Sequence, residues 1–338
     1  MHLINRQSFS TLLMMISIQP LWAVEPIPKE EGFSGYINIG LASVTAESNL
    51  IAGNRFSDIS EKTNNSLADS PDSESDTMGI LNGEVSYTFS SSRTQVYFGN
   101  QLEDFIQFDF STLLGVRHEL TDKSTLAVSY VFSSVPTEVW EDPYLTNQAR
   151  EETDRDSSGF RLEWDRIAGT TFGVQYTRRS IEIDDERSGQ SLGLSNYDLG
   201  LLERDGDVHN LQLHYRHNFQ NGHLIQPKIT FINRDMDGKS MSSDSIGLGM
   251  THIYNNEQYS FITKLEWANA DYDKRNPVFN KTQDDDRIGG SFTVVYKKPF
   301  GLKDWNILGT AAYYDSDSNI DFYDTKIKFF SLSALYRF

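Results

Sequence analysis

The sequence predicts an all-β fold: a transmembrane antiparallel up-and-down β-barrel of about fourteen strands, within a range of about twelve to sixteen. Three observations carry that expectation. Apolar and polar residues alternate at period two along most of the 338 residues. The connections between alternating segments are short, then long, in turn. Aromatics reach 12% while hydrophobic residues reach only 38%, the balance expected when each strand is apolar on one face alone.

The elements follow in order. Met1 to Arg6 is lightly basic, "TLLMMISI" (Thr11–Ile18) is apolar, and Pro20 and Ala23 close the stretch. That is the anatomy of a secretory signal peptide over 1–23, leaving a single barrel domain over 24–338. Past this leader no run of 18 apolar residues occurs, so a helical membrane span is excluded. The alternating segments are expected near 33–46, 77–90, 93–102, 106–119, 125–135, 156–166, 170–183, 207–219, 224–234, 244–254, 258–271, 286–298, 305–315 and 320–338. "EVSYTF" sets Val85, Tyr87 and Phe89 against Glu84, Ser86 and Thr88, and "GFRLEWD" sets Phe160, Leu162 and Trp164 against Arg161, Glu163 and Asp165. Most segments reach the roughly 9–11 tilted residues that cross a bilayer.

Between them, "SSS", "TDKS", "AGT", "QNGH", "NNE" and "PFGLKD" have hairpin-turn composition. The intervening connections, such as "PTEVWEDPYLTNQAREETDRD", are long and acidic, except for a short one after the third segment. Short turns on one rim and long loops on the other are the pattern of an outer-membrane barrel. An even strand number puts both chain ends on the short-turn, periplasmic rim.

The chain closes on "SLSALYRF", with Phe330, Leu332, Ala334, Tyr336 and Phe338 in one phase. An alternating strand with a terminal aromatic resembles the C-terminal assembly signal of bacterial outer-membrane proteins. The resemblance implies that Tyr336 and Phe338 engage the outer-membrane assembly machinery. From "EPIPKEEGFSGYINIG" to "LYRF" the chain also resembles a family of uncharacterised Gram-negative outer-membrane proteins with a domain-of-unknown-function label. That likeness implies fold and location, and no activity.

Charge assigns the faces. A cation facing lipid at mid-depth costs about 2–4 kcal/mol. The polar phase is therefore expected to line the pore: Glu84, Asp109, Arg117, Arg161, Glu163, His214, Arg216, Lys228, Lys264, Glu266 and Lys297. Charges of both signs suggest cross-lumen pairs that narrow the bore. Trp164, Trp267, Trp305 and Tyr336 suit interfacial belts. Lys326 and Lys328 lie beyond the apolar run of the last strand, where lipopolysaccharide phosphates are the expected neighbours.

The composition also excludes. With no cysteine, disulfide scaffolds and Cys-ligated metal sites are ruled out. A net charge of -18 makes nucleic acid a poor partner. No cofactor motif appears, nor a nucleophile elbow. "DSDSN" (Asp315–Asn319) begins like a calcium loop but has Ile320 where glycine is required, and is expected to be a surface loop. Acids of the first loop (Asp58, Glu61, Asp69, Asp72, Glu74, Asp76) and the Asp284–Asp286 run are expected to draw cations to the mouth.

The leading functional expectation is a porin-like outer-membrane channel for passive diffusion of ions or small polar solutes, cation-preferring. One alternative is a non-conducting surface barrel whose acidic loops bind a partner, divalent ions or lipopolysaccharide. Another is a barrel hydrolase, for which His209, His214, His217 and His252 are the residues to inspect; no enzyme is expected.

Overall fold

The computed structural model describes residues 27–100 and 110–338. The expected leader over 1–23, Asp109 and the connection after the third segment lie outside the described residues.

Among the described residues, fourteen strands form the wall. They are β1 (Gly32–Glu47), β2 (Ser73–Phe89), β3 (Thr94–Asn100), β4 (Phe110–Glu119), β5 (Thr125–Val135), β6 (Glu152–Asp165) and β7 (Phe172–Ile183). The second half contains β8 (Gly206–Tyr215), β9 (His223–Met236), β10 (Ser243–Asn255), β11 (Tyr259–Asn276), β12 (Lys281–Lys297), β13 (Trp305–Ser318) and β14 (Thr325–Arg337). Each pairs antiparallel with the next, and β1 pairs with β14 as well as β2, so the sheet closes on itself. Closure satisfies backbone groups that lipid cannot. Gly35 and Phe338 complete it by exchanging backbone hydrogen bonds of 3.0 and 3.1 Å.

Even-numbered strands β2 to β12 lead into short turns. In "QNGH", Gly222 adopts φ 83° while backbone crowds it: a Cβ there would lie 2.3 Å from the Asn255 carbonyl oxygen. Only glycine meets both demands.

The strands outrun their sequence-predicted ends on the long-loop side, and three expectations need correction. Glu74 and Asp76 belong to β2, not to the first loop. The Asp284–Asp286 run lies inside β12. Asp315–Ser318 is the end of β13, not a surface loop. The cause is common to all three. Outside the hydrocarbon both strand faces are polar, so apolar alternation ends while the hydrogen-bonded ladder continues.

The outer wall is a belt of exposed apolar side chains, among them Phe33, Leu41, Leu81, Leu265, Phe330 and Leu332. Its upper edge is sharp. Tyr176, Leu211, Phe231 and Ile246 are register neighbours on β7 to β10. Two residues further toward the long loops the row reads Arg178, His209, Asn233, Asp244, Asp271 and Asp284. A transmembrane β-barrel needs such a change where acyl chains give way to head groups. Lys326 stands at that level on β14, between Glu47 and Asp315 on the flanking strands.

The interior is layered rather than uniformly polar. Near the short-turn rim Ile253, Ile262, Val295 and Leu308 form an apolar arc with Leu224 and Leu335. Charged residues occupy the middle. Above them Ala42, Val44, Met78, Ile80, Ile327 and Phe329 line the wall against Ile51 and Ile59 of the first loop. The first loop therefore packs its apolar residues against inward-facing wall, while Asp58, Glu61, Asp69 and Asp72 stay exposed.

Candidate functional site

The candidate site is the lumen and its cover. Strand alternation aims the expected pore residues inward, and register decides which of them meet. Arg117 on β4 reaches Glu84 on β2 at 2.6 Å. It also donates to Gln95 at 3.2 Å and lies 3.9 Å from the Tyr97 ring centre. Arg161 donates to the Thr177 hydroxyl at 3.1 Å, and Glu163 follows it on the same face of β6. His214 bonds Asp165 at 3.1 Å, and Arg216 stands 4.0 Å from the same carboxylate. Lys228 pairs with Glu266 at 2.6 Å, with Lys264 two residues away on the same face of β11. Lys297 lies at the short-turn rim and donates to the Asn256 carbonyl at 2.8 Å.

Two of these pairs span an intervening glycine. Gly249 lies between Lys228 and Glu266 in register, and a Cβ on it would meet the lysine stem at 2.8 Å. Gly173 faces His214, and a Cβ there would lie 2.3 Å from the imidazole Nε2 and 2.9 Å from Asp165 Oδ1. The glycine leaves room for one side chain to cross a strand and reach its counter-ion.

The long loops do not leave an open acidic mouth, which corrects the expected entrance. Tyr144, Leu202, Met241, Ile320, Phe322 and Tyr323 pack into one buried cluster with Leu50, Leu67, Val278 and Phe279. The loops after β1, β5, β7, β9, β11 and β13 all contribute. Their acids face water while their apolar residues meet over the bore, as burial of apolar area requires. Polar contacts fix the geometry. Arg204 donates to the Trp140 carbonyl at 2.8 Å and to Glu186 at 2.7 Å. Arg150 lies 4.2 Å from the Trp140 ring centre. Burial holds the Arg150 guanidinium down at about 10, and it pushes the Tyr144 phenol up to about 12.

The histidines fall elsewhere. His209 faces outward, bonded to the Tyr176 hydroxyl at 2.8 Å. It borders a depression of about 410 Å³ on the outer wall, with Leu211, Phe231 and Ile246 below and Asp244 and Asp271 above. His223 and His252 pair at 2.9 Å, and His217 contacts Tyr215 at 3.4 Å. Among the described residues no group of three or more His, Asp or Glu side chains is arranged to hold a metal ion.

The remaining sequence-predicted residues lie on the closure seam. Tyr336 lies against Trp305, ring centres 5.1 Å apart and planes tilted by 40°. The Phe338 ring covers Gly35, where a Cβ would meet it at 2.8 Å. Sequence reasoning did not single out Arg179, Arg234 and Arg287, which also face inward, and it placed Asp285 in a loop rather than on the inner wall. The alternation in "RIGGSF" and "FINRDM" carried that signal, but both lie at the polar ends of their segments. The loop residues of the cover have no periodicity that could have revealed them.

No curated protein matches the chain. Among solved structures it is similar to a Pseudomonas aeruginosa FadL homologue, at 13% identity and a TM-score of 0.48, covering 92% of each chain. It is similar to the CymD monoaromatic hydrocarbon channel at 12% identity and a TM-score of 0.43, covering 91% of this chain and 89% of that one. Outer-membrane expressed OmpT of Vibrio cholerae is similar at 9% identity and a TM-score of 0.43, covering 92% of this chain and 100% of that one. A family profile spans residues 32–337, the whole closed wall, and the chain belongs to the family described as "Protein of unknown function (DUF2860)".

Proposed function

We propose that the chain is an outer-membrane channel for small polar solutes, held shut in this conformation by its own loops. One observation carries the reading: fourteen strands close into a wall whose interior is largely polar and whose inward residues are in good part small. Fourteen tilted strands about 4.8 Å apart enclose a backbone radius of roughly 14 Å. Many inward residues are small, including Gly40, Ala127, Ser129, Gly247, Gly249, Ala268, Ser291 and Ser333. The loop cover lies over one end of the wall, and loops can move without breaking the wall.

The location is read from the closed sheet and the apolar belt, since lipid admits only helices and closed barrels. Outer-membrane lipid surrounds the belt, and lipopolysaccharide meets Lys326, Lys328 and the acidic row above it. The final strand, with Tyr336 and Phe338, is the segment offered to the assembly machinery. Selectivity has two opposed parts: exposed acids gather cations outside, while Arg234 favours anions within. No catalytic role is assigned.

The test is single-channel recording in planar bilayers. Wild type should give rare, brief conductance steps, and a chain lacking residues 55–70 should open more often. Silence from both proteins, each shown to be folded by heat-modifiable gel migration, sinks the channel. The ordered cover favours a second reading, a non-conducting barrel whose loops bind a surface partner, and that silence would leave it standing.

A further inference from the structure

We infer that the upper lumen holds a binding site for a small oxyanion, built on Arg234 and Arg287. The register creates it. Arg179 on β7, Val208, Arg234, Ser243 and Tyr272 on β11 form one inward row across five neighbouring strands. Adjacent strands lie about 4.8 Å apart, so the two arginines and the tyrosine stand roughly 10 Å from one another in sequence along the row. Arg287 joins from β12, with Nη2 3.4 Å from the Tyr272 hydroxyl.

Arg234 is left without a carboxylate partner among the described residues. Arg287 donates to Asp285 at 2.8 Å, but that carboxylate also accepts from Tyr272 at 3.2 Å and Gln283 at 2.9 Å. Arg179 donates to Ser157 at 2.7 Å. The Arg234 guanidinium makes no hydrogen bond or ion pair among the described residues, and it feels the like charges of Arg287 and Arg179. Drawing cations together inside a wall is costly unless an anion joins them.

Two further atoms point at the same place. Ser243 stands between Arg234 and Tyr272 in the row, is 2% exposed, and its hydroxyl has no partner. The Arg287 Nε is also buried without one. A buried donor left unmet keeps the full desolvation cost of its polar group. An oxyanion between the arginines would satisfy both and give Arg234 a counter-ion. Planar guanidinium donors suit the paired oxygens of phosphate or carboxylate. The ligand class is therefore a small oxyanion, either inorganic phosphate or the carboxylate of an organic acid.

The site depends only on inward side chains, so its test does not require conduction. The folded full chain in detergent is titrated calorimetrically with phosphate, succinate or chloride at equal ionic strength. Phosphate or succinate should bind saturably, and whichever binds identifies the anion source. Arg234→Gln should weaken binding by at least about tenfold, and Arg234→Lys should recover only part, because lysine lacks the planar fork. Ser243→Val should weaken binding a few-fold, and Lys303→Gln, which removes an exposed cation elsewhere, should leave it unchanged. No saturable binding to wild type overturns the site. So does chloride binding as well as the oxyanions, or unaltered affinity in Arg234→Gln. Should Arg234→Gln fail to fold, Arg234→Lys and Ser243→Val decide by the same criterion.

Discussion

The hydroxyl oxygens of Tyr144 and Tyr323 lie 2.6 Å apart in the buried centre of the loop cover. Asn276 donates to the Tyr323 oxygen, also at 2.6 Å. One oxygen thus joins the loops after β5 and β13 to the last residue of β11. Away from water such a link is strong, and its loss leaves polar atoms unmet.

Tyr323→Phe removes that oxygen and strands the other two groups. The closed cover should lose about 1–2 kcal/mol, a factor of roughly 5–30 in its equilibrium. Open probability in planar bilayers should rise by that factor, with the size of each step unchanged. An unaltered open probability would separate this link from gating.

Gly249→Val places a branched side chain where the Lys228 stem crosses to Glu266. Overpacking costs about 1–3 kcal/mol, and the lysine must leave its partner. The melting temperature of the folded barrel should fall. Gly79→Val is the control, because a Cβ at Gly79 meets nothing within 4 Å. Equal effects from the two would show that the crossing is unimportant.

The closure seam makes a kinetic prediction. Gly35→Val would bring a side chain within 2.2 Å of the Glu84 carbonyl oxygen and against the Phe338 ring. Strand pairing cannot complete without displacement there, so the yield of heat-modifiable, folded barrel should drop severalfold. Phe338→Ala removes the ring and keeps the backbone bonds, and should impair assembly in cells more than refolding in detergent. Identical losses in both settings would argue against recognition of the aromatic.

Acid should tighten the cover. Burial raises the Glu141 carboxyl above its ordinary value even though Arg187 is 3.0 Å away. It raises Asp205 as well, although that side chain accepts the Ile183 amide at 2.8 Å. Both groups bind protons more readily in the closed cover than in open, solvated loops. Their destabilising charge is present at neutral pH and is relieved as pH falls through the raised values. The gain is complete near the ordinary carboxylate range of about 4. Open probability should therefore decrease on acidification of the loop side, and Glu141→Gln with Asp205→Asn should flatten the response. A rise on acidification would overturn this sign.

Alternation wrote the wall into the chain. A period of two with one apolar face makes Leu211, Leu213 and Tyr215 face lipid and Gln212 and His214 face inward, whatever else the protein does. The short turns, the strand number and the inward phase of Glu84, Arg117, Lys228 and Glu266 follow from that periodicity. What it could not reveal was anything that depends on register or on loops. That Lys228 meets Glu266 across Gly249 requires knowing how three strands align, and a ladder displaced by two residues would keep the same alternation. The bundling of Tyr144, Phe322 and Tyr323 joins residues nearly 180 positions apart in aperiodic segments. Local preference is silent at that range, and only the closed wall, by gathering six loops over one opening, brought them together.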